Sequence, residues 1–144
     1  MITKSAVRVL VLCALVTSTP LLSGACSKST DSATAPDAVT KVDTFSGNLT
    51  RSGVNVHTFT VPVAGAVAVG LTEVAPVATL AIGVGIGTWN GTTCTSLSTN
   101  DNAHMGSTAL SGTAQIGNYC VRVYDSGSVP ENTTITYTLQ VGHP

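Results

Sequence analysis

The sequence predicts an all-β fold: an antiparallel β-sandwich or jelly-roll-like domain of about seven to eight strands behind an N-terminal signal segment. Three observations predict it. Beyond the first 25 residues no stretch repeats its apolar residues at helical spacing. Several short runs instead alternate bulky with small or polar residues, the period of a strand with one buried face. Gly, Pro, Asn and Asp punctuate those runs at short intervals, as turns require.

Residues 1–25 stand apart from this pattern. Lys4 and Arg8 form a basic start, residues 9–16 are an apolar run, and Ser23, Gly24 and Ala25 are small: the three parts of an export signal peptide. The run is too short to span a bilayer as a permanent helix. Residues 21–26 resemble a bacterial lipoprotein signal, in which Cys26 becomes the lipidated first residue of the mature chain. Ser23 occupies the position where such signals usually carry Leu, and cleavage after Ala25 by an ordinary signal peptidase fits the same small residues. Cysteine parity favours lipidation. With Cys13 removed and Cys26 acylated, Cys94 and Cys120 remain as one pair, whereas a free Cys26 leaves an exported chain with an odd thiol. Ser27 in place of Asp after the cysteine resembles sorting to the outer membrane or cell surface; secreted or periplasmic release is the alternative.

Residues 26–41 are small and polar with one proline, and read as a flexible tether reaching roughly 20 Å as a coil. The domain then runs over 42–144. Residues 45–50 form a short first strand. Residues 55–61 place His57, Phe59 and Val61 on one side, and Pro62 with Ala64-Gly65 marks a reversal. Residues 66–74 set Val67, Val69 and Leu71 against Ala68, Gly70 and Thr72, and residues 80–86 set Leu80, Ile82, Val84 and Ile86 against Ala81, Gly83 and Gly85. Trp89-Asn90-Gly91 reads as a turn, residues 92–97 as a short strand around Cys94, residues 98–106 as a polar loop, and residues 107–114 as a weak strand carrying Leu110. The stretch 117–125 is central. Gly117 and Asn118 start it, Val121 and Val123 face inward, and a Cys94–Cys120 disulfide staples it to the earlier strand. Residues 126–132 form a loop, and residues 134–141 close the fold with Ile135, Tyr137, Leu139 and Val141 alternating with Thr and Gln.

Charge excludes one class of partner. Lys28, Lys41, Arg51 and Arg122 are the only basic residues after the signal, and four scattered cations cannot neutralise a phosphate backbone, so no nucleic acid is expected. Charged residues make up 9% of the chain, so its solubility rests on Thr, Ser and Asn.

Three stretches together resemble a known family. Val56-His57-Thr58-Phe59-Thr60-Val61-Pro62-Val63-Ala64-Gly65, then Ala114-Gln115-Ile116-Gly117-Asn118-Tyr119-Cys120-Val121-Arg122-Val123, then Tyr137-Thr138-Leu139-Gln140-Val141, are similar to the bacterial pre-peptidase C-terminal domain. The resemblance spans about residues 43–142. It implies a β-sandwich accessory domain of the kind appended to secreted peptidases, some of which bind collagen or polysaccharide or are stiffened by calcium. It carries over no site residue.

No catalytic centre is assigned. His57, His104 and His143 lie among many serines and aspartates, but no Gly-x-Ser-x-Gly turn anchors a triad. His57 reads as a packing or surface residue, and His143, near the C-terminus, as mobile. No zinc-ligand spacing is present and no cofactor is expected. Asp101, beside Asn100 and Asn102, and Asp125 are the calcium candidates, though Asn-Asp runs are also what turns are made of. Gly83-Val84-Gly85-Ile86-Gly87 alternates as a strand and reads as an outer face that tolerates glycine. Trp89 is a sugar-stacking residue or a plug at the sandwich end. The expected function is that of a non-catalytic cell-envelope lipoprotein with one binding or structural domain. Its partners would be the membrane, through lipid on Cys26, and an envelope protein or polysaccharide. The alternative is an accessory domain that helps a secreted hydrolase engage protein or polysaccharide polymers.

Overall fold

The computed structural model describes residues 41–144. The expected signal segment, Cys26 and nearly all of the expected tether lie outside the described residues. Eight strands follow one another: β1 (Lys41–Leu49), β2 (Val54–Val61), β3 (Gly65–Ala75), β4 (Ile82–Trp89), β5 (Cys94–Ala103), β6 (Thr108–Ala114), β7 (Gly117–Tyr124) and β8 (Ile135–His143). They form two four-stranded sheets, ordered β1-β8-β3-β6 and β2-β7-β4-β5, with every pairing antiparallel. This is a β-sandwich, as the alternation predicts.

The inner faces of both sheets supply the core. Val61, Ile82, Val84, Val121, Val123, Ile135, Leu139 and Val141 are fully buried. Burying a side chain of this size contributes about 1.5–3 kcal/mol each relative to exposure. In β3 the register shifts between Leu71 and Glu73, and this bulge returns Val74 to the core after Thr72 and Glu73 face solvent. At the β6–β7 turn the Tyr119 hydroxyl donates to the Gln115 carbonyl and accepts from the Gln115 N–H, both at 3.1 Å, pinning the turn to the strand it precedes.

Two expectations need correction. Residues 98–103, read as loop, continue β5 to Ala103 and pair with β4, Ile86 opposite Ser98 and Val84 opposite Asn100. The strand is an edge with solvent on most of its side chains, so no apolar alternation marks it. The second correction is His143, which is fully buried in β8 rather than mobile. Its Nε2 donates to Asp43 Oδ2 at 3.0 Å, its Nδ1 lies 2.9 Å from the Pro144 oxygen, and its ring packs on Phe59 at 5.2 Å between centroids. Strand pairing with Lys41 of β1 and these polar partners hold a residue that composition alone marks as tail.

Candidate functional site: the cleft between edge strands β5 and β6

The two edges of the sandwich are closed differently. Where β1 meets β2, aromatic and imidazole rings fill the seam. His57 stacks on Phe45 at 4.9 Å, and its Nε2 lies 2.8 Å from the Tyr137 hydroxyl. Gly47 makes room for Tyr137, since a Cβ there would collide with the phenol ring. Burial disfavours charge on both partners, pushing the His57 pKa down and the Tyr137 phenol up, the latter partly offset by a hydrogen bond from Asn55. The Asp43 carboxylate nearby is pushed up by partial desolvation, but hydrogen bonds from His143 and Lys41 outweigh this and hold its pKa below the ordinary value. These groups lock β1, β2 and β8 together.

The opposite seam is open. Between β5 and β6 lies a cleft of about 160 Å³, lined by Val67, Val69 and Leu110 of one sheet and Ile86, Leu97 and Tyr119 of the other. Its cause is Gly112. This residue stands opposite Val67 in the β3–β6 register, so a side chain there would point, like Val67, between the sheets. A Cβ built on Gly112 meets nothing within 4 Å. Ser98, Ser111, Thr113 and Ala114 complete the lining, and no lining residue is charged. Leu97 remains 64% exposed at the mouth. A space of this size and polarity suits one apolar group, since a dry cavity of about 150 Å³ accepts benzene.

The residues expected from the sequence fall elsewhere. Cys94 and Cys120 are bonded and tie β5 to β7, with 5.9 Å between their Cα atoms. Asp101 accepts a hydrogen bond from the Tyr124 hydroxyl on the outer face of the second sheet; desolvation, and next this carboxylate, raise the Tyr124 pKa. Asp125 serves a different place. Its Oδ1 accepts from the N–H groups of Gly127, Ser128 and Val129 at 2.8–3.0 Å, and its Oδ2 from that of Ser52 at 2.9 Å. Partial desolvation raises its pKa, but these four backbone donors outweigh it and hold the carboxyl below its ordinary value. Among the described residues no three His, Cys, Asp or Glu side chains gather in a metal-binding group. The glycines of β4 do face outward, yet they are covered: Tyr124 lies over Gly83, Thr99 Cγ2 would lie 3.1 Å from a Cβ on Gly85, and the Thr95 backbone crosses Gly87. Trp89 ends β4 opposite Cys94, and the turn begins one residue later, where Asn90 Oδ1 accepts from the N–H groups of Thr92 and Thr93.

The cleft went unread in the sequence. Its signal is a glycine at an inward position of a strand, Leu110-Ser111-Gly112-Thr113, where alternation alone would call for a bulky residue.

Among solved structures, the chain is similar to the pre-peptidase C-terminal domain of a collagenase from Bacillus anthracis. The TM-score is 0.50 at 19% identity, over 69% of this chain and 87% of that one. The described domain has the pre-peptidase C-terminal fold. No family model and no curated protein matches the chain. The fold expected from the three sequence stretches is thus the one found. At this identity the likeness speaks to architecture, and the cleft and its lining are features of this chain's own residues.

Proposed function

We propose that the protein is an exported, non-catalytic envelope lipoprotein, held to the outer membrane or cell surface by lipid on Cys26, whose pre-peptidase C-terminal-like domain binds a partner. The Cys94–Cys120 bond carries the reading. With both cysteines of the described domain paired, Cys26 is the remaining cysteine after the export segment, and acylation accounts for it. The open apolar cleft supports binding as the role.

The test is the intact mass of the protein from the membrane fraction of its host. A mass that begins at Cys26, carries acyl chains and lacks two hydrogens is the expected result. An unacylated mass starting at or after Cys26 defeats the anchor.

A second reading is favoured by the likeness to a collagenase domain: an accessory domain that helps a secreted hydrolase engage protein or polysaccharide. Saturable retention on collagen or a polysaccharide would support it, and passage through both without delay would remove it.

A further inference from the structure

The backbone beside the cleft is unpaired in a regular way. In β3 the Leu71 N–H donates to Ser107 and its carbonyl accepts from Gly106 at 2.7 Å, so both groups turn toward the β6 side. Backbone direction alternates along a strand, so Val69 and Val67 turn the same way and bond to their partners Leu110 and Gly112. Ser111 and Thr113 therefore aim their N–H and C=O groups away from β3. Among the described residues β6 has β3 as its one sheet neighbour, and both residues are exposed. The edge also lacks the usual protection: Thr-Ala-Leu-Ser-Gly-Thr-Ala contains no proline and no charge. Further up the strand the Ala109 carbonyl is met by the Asn100 amide at 2.9 Å, which closes that end and leaves the Ser111–Thr113 end open.

We propose that this edge is a strand-addition site: an uncharged extended peptide pairs antiparallel with β6 and seats one apolar side chain in the cleft. The inference rests on the reading of the domain as a binding module. The geometry joins its two halves. A peptide bonded to Ser111 and Thr113 places the residue between its bonded positions directly opposite Gly112. Side chains opposite each other share a face, so that residue points between the sheets, into the space Gly112 leaves empty. Backbone pairing would supply affinity and the cleft would select the side chain. The neutral lining selects against charge: a lysine or glutamate placed there would be desolvated among Val67, Val69 and Leu110 without a counter-ion. A small apolar molecule would fill the cleft and leave the exposed Ser111 and Thr113 groups to water, whereas a chain fills the cleft and pairs those groups as well, which is why a chain is the better occupant.

The probe is a short, capped, dye-labelled threonine peptide with one central leucine, followed by fluorescence anisotropy against the full chain as isolated from its host. Hydrogen exchange locates the complex. Saturable binding is expected, with exchange slowed at Ser111 and Thr113 and with a central-lysine peptide bound at least roughly tenfold more weakly. Gly112→Val fills the cleft and Thr113→Pro removes an outward N–H at an edge position that tolerates proline; each should weaken binding by roughly tenfold or more. Two variants guard against a folding defect in either, and each is read where its melting temperature is not lowered. Equal binding of the leucine and lysine peptides, protection away from β6, or wild-type affinity in a folded variant overturns the proposal. A preparation that is retained on collagen or polysaccharide but ignores the peptide overturns strand addition alone and leaves the binding reading standing.

Discussion

Asp125 shows how one side chain can be needed by the fold while resembling a ligand. Its two oxygens receive four backbone N–H groups, three from the turn that follows β7 and one from Ser52 after β1. Asp125→Ala should cost about 1–2 kcal/mol, at or below the lower end of the range for bonds to a charged acceptor because the site is partly solvated; urea denaturation measures it. The pH dependence has a definite sign. The folded pKa lies below the unfolded one, so the contribution is complete above the ordinary carboxylate pKa and is lost as pH falls through the folded value. Asp43 behaves the same way through its bonds to His143 and Lys41. His57 works in a different window. Burial lowers its folded pKa, so the unfolded chain takes up a proton first, below about pH 6.5, and stability declines from there down to the folded pKa. Melting temperatures from pH 7.5 to 5 should therefore fall in the wild type, and fall less in His57→Gln, while the carboxylates contribute their loss further down.

At the scale of elements, the legible strands are those with one buried face. Val67, Val69 and Leu71 in β3, Val121 and Val123 in β7, and Tyr137, Leu139 and Val141 in β8 alternate in the sequence and are buried in the structure. What escaped reading obeys other rules. β5 is held by pairing along its backbone to β4 and by the Cys94–Cys120 bond, neither of which leaves an alternating pattern in Ser98 to Ala103. His143 is fixed by Asp43, a hundred residues earlier, and no local pattern encodes such a partner. The cleft was missed for a related reason, because it is a missing side chain at Gly112 and composition registers residues, not vacancies. The disulfide was within reach of cysteine parity. Its two halves are 26 residues apart, so the chain-entropy model assigns the bond about 3.5 kcal/mol. Reduction should lower the melting temperature by on the order of 15 °C in a domain of this size, and a scan with and without reductant checks it. If the temperature holds, the β-pairing of β5 with β4 carries that edge unaided.

For the whole molecule, the contrast between the two seams is the feature that bears on function. One is packed with Phe45, His57, Phe59, Tyr137 and His143, and the other is left open by a glycine with no positive backbone φ to require it. A vacancy that backbone geometry does not demand is a place where stability has been left unclaimed. Gly112→Val should therefore stabilise the isolated fold. It restricts the unfolded chain, suits an extended backbone, and sets two methyl groups against Val67, Val69 and Leu110, which together contribute about 1 kcal/mol and raise the melting temperature by about 5 °C. Thermal unfolding followed by circular dichroism measures this. A lower melting temperature would mean that the sheets cannot accept a side chain at this point and that Gly112 is needed for close packing. A higher one, accompanied by loss of peptide binding, would show the same position trading stability for an open cleft.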